Sequence, residues 1–269
     1  MAHTLSAVAV IALLGVTSAL AAEQNPLTPS PTWEDLRFDV VGERTISDVG
    51  SPLAVEAPYR AHDAATVPVI LRQTDADATI KKATVIIDEN PAPVAADLTF
   101  GPGMAPVDIE LRVRVNQYSN VRVLTETPAG LFMTGRYVKA SGGCSAPASR
   151  DPEQALAGLG QMKLRLFGEA EPQQSMARRE AQIMLRHPNY SGLQRNQVTQ
   201  LFIPAHFIDH MEVWQGDEML FTMDGGISIS ENPVFRFGYT DNGAPSLRVV
   251  ATDTEGNRFE QVLAKTAGG

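Results

Sequence analysis

The sequence predicts an all-β protein built as two β-sandwiches in tandem. Three observations carry this. Short apolar runs of strand length, separated by turn residues, recur from about residue 40 to near the C-terminus. One of them, "VDIELRVRV" at 107–115, alternates strictly, with Val, Ile, Leu, Val and Val on one face and Asp, Glu, Arg and Arg on the other, the period of a half-buried antiparallel strand. The recurrence breaks once, at the composition shift of residues 148–174, so the strands fall into two groups.

Taken in order, the N-terminus "MAHTLSAVAVIALLGVTSALAA" joins an apolar run too short for a membrane span to the small-x-small pattern of Ala19, Leu20 and Ala21. Residues 1–22 are therefore predicted to be a signal peptide, although the segment before the run lacks Lys and Arg. A short helix is predicted in "PTWEDLRF", with Thr32 three residues before Asp35 as a capping-box-like start. The first sandwich is assigned to residues 30–147, with strands at 67–71, 83–87, 107–115, 121–124 and 131–133. A partly helical linker is assigned to 148–174, from Asp151 and Pro152 at a helix start and Leu156, Leu159, Lys163 and Leu166 at near-helical spacing, with Gly158 and Gly160 each weakening a helix by about 1 kcal/mol. The second sandwich is assigned to 175–269, with strands at 181–185, 207–213, 219–223, 226–229, 234–239, 247–252 and 258–262, and turns at 215–217, 231–233, 241–243 and 255–257.

The net charge is −9 and no basic stripe is present, which argues against a nucleic-acid partner. Export places the chain in an oxidising compartment, the periplasm in a bacterium, with no membrane attachment after cleavage. A single cysteine in such a compartment is either buried and inert or kept to react between molecules.

That cysteine, Cys144, stands in "VKASGGCSAPAS", behind Gly142 and Gly143 and ahead of small residues and a proline. Nothing nearby offers an apolar anchor, and two glycines maximise backbone freedom. The segment reads as an exposed arm: Gly142 and Gly143 supply flexibility, and Cys144 supplies a thiolate for covalent attachment of a cargo. An exposed thiol predicts a reducible dimer through Cys144, and a Cys144→Ser cost below about 0.5 kcal/mol. A loop cysteine without a role remains the competing reading.

His206 and His210 are four residues apart, but on a strand that spacing separates them by about 13 Å, too far to share an ion. His187 and His62 have no ligand partner in the local sequence, and either one near the arm would lower the Cys144 pKa. "NYS" at 189–191 matches a glycosylation acceptor by pattern alone. Phosphate-loop, dinucleotide, zinc-protease and nucleophile-elbow motifs are lacking. No cofactor, metal site or catalytic residue is predicted.

The chain resembles SoxY in its first part, through "EAPYRAHDAATVPVIL" (56–71), "IKKATVIIDENPAPVAADLTF" (80–100), "ELRVRV" (110–115) and "VKASGGC" (138–144). It resembles SoxZ in its second part, through "IMLRHPNYSGLQRN" (183–196), "IPAHFIDHMEVWQGDEML" (203–220) and "ISENPVFRFGY" (229–239). SoxY and SoxZ are the two subunits of the periplasmic sulfur carrier of bacterial thiosulfate oxidation, here in one chain. The resemblance implies two immunoglobulin-like sandwiches packed together, a non-enzymatic carrier with cargo on Cys144, and periplasmic redox enzymes as partners. The departure is at the arm: in SoxY the glycine-flanked cysteine closes the chain as "GGCGG", whereas here about 120 residues follow. Fused forms of this kind resemble carriers associated with quinoprotein alcohol dehydrogenases. Two other readings stay open: a docking or assembly module for such a dehydrogenase, with an incidental thiol, and an enzyme acting through a Cys–His pair.

Overall fold

The computed structural model describes residues 25–147, 155–167 and 178–265; the predicted signal peptide lies outside them. Among the described residues, helix α1 (Pro31–Val41) comes first. Its cap is Ser30, whose hydroxyl accepts from Trp33 N at 3.1 Å, with Pro31 opening the helix. The expected cap at Thr32 is thus two residues late, because Pro31, with its fixed φ and no N–H to leave unpaired, suits the first helical position. Trp33 and Val41 pack on Ile86, Leu124 and Leu131, and the guanidinium of Arg122 lies 4.8 Å over the Trp33 ring while pairing with buried Asp88 at 2.8 Å.

Fifteen strands follow among the described residues: β1 (Ile46–Ser47), β2 (Leu53–Glu56), β3 (Val67–Gln73), β4 (Lys82–Ile87), β5 (Val94–Phe100), β6 (Asp108–Val113), β7 (Ser119–Thr127) and β8 (Gly130–Val138) in the first half, then β9 (Met162–Phe167), β10 (Arg178–Leu185), β11 (Ile208–Gln215), β12 (Glu218–Gly225), β13 (Val234–Thr240), β14 (Ser246–Asp253) and β15 (Arg258–Ala264) in the second. Two expectations change. Residues 155–156 of the linker are helical, but its later part is β9, which pairs antiparallel with β10 from Leu185↔Met162 to Glu180↔Phe167. Residues 226–229, expected as a strand, form a turn and a single bridge from Ile229 to Val113.

The two halves are immunoglobulin-like sandwiches that share both sheets. The nine-stranded sheet runs β1-β8-β7-β4-β5-β12-β11-β14-β15, and the six-stranded sheet runs β2-β3-β6-β13-β10-β9. The halves join where β5 pairs with β12, from Phe221↔Phe100 to Gly225↔Ala96, and where β6 pairs with β13 at Glu110↔Arg236 and Ile109↔Phe237. A strand edge with unpaired N–H and C=O groups is a liability, and here each half covers an edge of the other. The inward faces make one continuous core that takes in Val69, Val85 and Leu111 of the first half and Ile183, Phe237 and Val249 of the second. At the end of β6 the zip continues onto the 228–230 loop: Arg114 N donates to Ser228 O at 2.7 Å and Ser230 N to Arg112 O at 3.1 Å.

Candidate functional site at the module junction

β8 ends at Val138, and Lys139 N is held by Tyr59 O at 2.7 Å, which directs the chain toward the junction. Gly142 takes φ +79°, a left-handed turn that favours glycine, and a single 3-10 turn follows over Gly143–Ser145. Gly142 N donates to Asn116 O at 2.8 Å and Gly143 N to Val115 O at 3.0 Å. A Cβ on Gly143 would lie 2.1 Å from Ala64 O and 2.7 Å from Val115 N, both backbone atoms that have little room to give.

The predicted exposed arm is therefore not what the chain forms. Cys144 is free and 0% exposed, and the two glycines serve a tight turn and a close backbone approach rather than slack. The second module supplies the cover: Ser191 Oγ donates to Cys144 O, and Gln194 Nε2 donates to Ala146 O at 2.9 Å. Small residues around a cysteine suggest mobility when read alone, but here they let the turn nest against neighbours that the local sequence does not reveal.

Beside the thiol lies a cation that the alternation of β6 assigned to a polar face. Arg114 is 1% exposed, because the second module closes over that face. Its Nη1 donates to Gly143 O at 3.3 Å and its Nη2 to Asn189 O at 3.1 Å, while Nε has no partner among the described residues. Burial pushes the Cys144 pKa up to about 11, and the Arg114 charge only partly opposes this. Seated in the turn, Cys144 is a protonated thiol and a poor nucleophile at neutral pH. The charge acting on it is Arg114, and neither His62 nor His187.

The histidines have other roles. His206 Nε2 and His187 Nε2 lie 2.8 and 3.3 Å from Asp253 Oδ2, with ring centroids 4.6 Å apart, and all three residues are buried. Their ligating atoms are close enough for a metal ion. The hydrogen bonds assign the cluster otherwise. Asn189 N donates to His187 Nδ1 at 3.0 Å, so the proton of a neutral ring sits on Nε2, which then donates to Asp253. Binding a metal through Nε2 while Nδ1 accepts would require an imidazolate. Against its burial, hydrogen bonds from Asn257, His206 and nearby backbone hold the Asp253 pKa down at about 2, and burial together with His206 lowers that of His187. His210 faces Asp224 at 2.6 Å and Glu212 at 3.3 Å, so His206 and His210 do not converge.

Asn189 links the two clusters. Besides holding His187 and receiving Arg114, it donates through Nδ2 to Ser230 O at 3.0 Å and accepts from Ile208 N at 3.1 Å through Oδ1. A buried, fully used Asn189 is no glycosylation acceptor. Arg114, Ser191 and Gln194 are the residues that sequence reasoning missed. Of these, only Arg114 carried a signal, as the last charge of an alternating strand that runs on into apolar Val115.

Two protein families match the chain: "Sulfur oxidation protein SoxY" over residues 37–144, ending on the cysteine, and "Sulphur oxidation protein SoxZ" over residues 169–264. Among solved structures, the sulfur carrier protein SoxY from Chlorobium limicola f thiosulfatophilum is 23% identical, covering 40% of this chain and 94% of its own, with a TM-score of 0.34. No curated protein matches.

Proposed function

The chain belongs to the SoxY and SoxZ families, fused in one polypeptide, and from this sulfur-oxidation carrier ancestry we propose that it carries its cargo covalently on Cys144, without catalysing the cargo's reactions. The observation that carries the reading is the position of the only thiol: the last residue of the SoxY match, in a closed turn where both modules meet. In its seat, an adduct on Sγ is shielded from solvent and from stray thiols. Loading and unloading need the turn to open, which exposes the thiol and brings its pKa back toward the usual value near 8.5. Oxidative loading joins Sγ to a cargo sulfur, and the thiol proton and two electrons leave to a partner redox enzyme. In this reading the protein is exported to the periplasm. Its partners are redox enzymes there, either of the Sox type or of a quinoprotein alcohol dehydrogenase system.

Burial of Cys144 with a raised pKa favours one second reading, a docking module with an inert thiol. Complementation of a deletion strain separates the two, with growth scored on thiosulfate and on an alcohol. Cys144→Ala is expected to abolish function at normal protein level, and intact mass of protein from the native host to show a thiol-reversible adduct absent from the variant. Full complementation by Cys144→Ala on every substrate that requires the gene would move the assignment to docking.

A further inference from the structure

Arg114 is the least explained group in the junction. It is 1% exposed, two of its nitrogens are spent on backbone carbonyls, and Nε is sealed in with no acceptor among the described residues. Burying a cation without a contacting anion is costly, and a buried polar group left unsatisfied calls for an explanation. Among the described residues no carboxylate contacts it; burial pushes its pKa down, and the nearby Cys144, then Glu231 and Asp63, oppose this only across space. Its bond to Gly143 O puts the guanidinium one residue from the thiol.

We propose that Arg114 is the anion-holding residue of the Cys144 site: its sealed, incompletely partnered guanidinium pairs with negative charge carried on Sγ, retains an anionic load in the junction, and leaves an uncharged load free to depart. The ligand class is a small anion covalently attached to the thiol sulfur. This inference rests on the carrier reading and adds a selection to it, since the turn's seated state then depends on the charge of what it carries. A guanidinium suits this task, because it stays charged when buried and offers several donors in one plane to a group with more than one acceptor oxygen.

The test uses methanethiosulfonate reagents of one reactive group and three charges: sulfonatoethyl (anionic), trimethylammonioethyl (cationic) and methyl (neutral). In each, the Cys144 thiolate forms a disulfide to the reagent's sulfenyl sulfur, methanesulfinate leaves with the electron pair of the broken S–S bond, and the thiol proton goes to solvent. Rates are measured on the native full-length protein and on the urea-unfolded chain. The net charge of −9 by itself favours the cationic reagent. The proposal expects the anion-to-cation rate ratio to be higher in the native protein than in the unfolded chain, to fall at least about tenfold in Arg114→Gln, and to be partly restored in Arg114→Lys. It also expects the sulfonatoethyl adduct to be released by a reducing agent more slowly than the methyl adduct in the wild type only. Should Arg114→Gln fail to fold, the native-to-unfolded comparison in the wild type still decides. A native ratio equal to or below the unfolded one overturns the role of Arg114 and leaves the carrier reading standing. Native protein that reacts with none of the three reagents short of global unfolding overturns the carrier reading itself.

Discussion

Asp253 and Arg114 are both charged, both buried and both connected to the stretch around Asn189, yet they are built on opposite terms. Asp253 receives five hydrogen bonds: Glu255 N and Asn257 N on Oδ1, both at 3.0 Å, and Asn257 Nδ2, His206 and His187 on Oδ2. Among the described residues, Arg114 has carbonyl partners for two nitrogens, none for Nε, and no contacting anion. A buried charge that is fully satisfied rigidifies what surrounds it, and one that is partly satisfied stores a cost. The difference teaches which cluster is scaffold and which is site. The His–Asp knot fixes the 187–191 segment, and that segment holds the cover over a cysteine whose neighbouring cation lacks its counter-charge.

The largest effect is expected from breaking the complete cluster. Asp253→Asn removes the charge that both imidazoles donate to, and should cost about 3 kcal/mol in urea unfolding. The pH profile sharpens this. The folded pKa of Asp253, about 2, lies below its ordinary 3.8, so its contribution of about 2 kcal/mol is present above pH 4 and lost as pH falls toward 2. His187 is also depressed, so the unfolded chain binds its proton first, and stability starts to fall below the ordinary imidazole value of about 6.5. The wild type should weaken from about pH 6.5 downward, and the variant should lack the part between pH 4 and 2. A flat wild-type profile between pH 7 and 3 would show that the knot does not hold the fold.

A smaller effect is expected at the two glycines, and they should differ. Gly143→Ala drives a Cβ into the backbone of Ala64 and Val115 and should cost about 2 kcal/mol, or unseat the turn and expose the thiol. Gly142→Ala has open space, with Ser145 Oγ 3.9 Å away, and is strained only by its φ of +79°, so about 1 kcal/mol is expected. Equal, negligible costs in thermal unfolding would return both glycines to the role of slack in an exposed arm.

Much of the fold was legible in the sequence. The alternation at 107–115 marks β6, and turn residues mark the hairpins β11–β12 and β14–β15, because a half-buried strand writes its period directly into the chain. Sharing of the sheets was not legible, since β5 and β12 carry the same pattern whether they pair within a module or across two. The site was legible at Cys144 and illegible around it. Arg114 is held by Gly143 and Asn189, 29 and 75 positions away, and His187 and His206 meet an aspartate 66 and 47 residues further on. Local composition around the glycines reported freedom, whereas Ala64, Val115, Ser191 and Gln194 decide their conformation. The same correction changes the cost of removing the thiol: a serine hydroxyl at a position 0% exposed should cost about 1–2 kcal/mol rather than the small amount expected at a surface.

Cys144 rests closed at the junction and, in the carrier reading, is reached by local opening of its turn. The direct measurement is the rate at which an uncharged thiol reagent labels the native protein, compared with the urea-unfolded chain and with the rate of global unfolding under the same conditions. Labelling is expected to be at least about a hundredfold slower than in the unfolded chain, yet faster than global unfolding, and accelerated by Gly143→Ala. Labelling as fast as in the unfolded chain would restore the exposed arm, and labelling only at the rate of global unfolding would make Cys144 a core thiol with no carrier role.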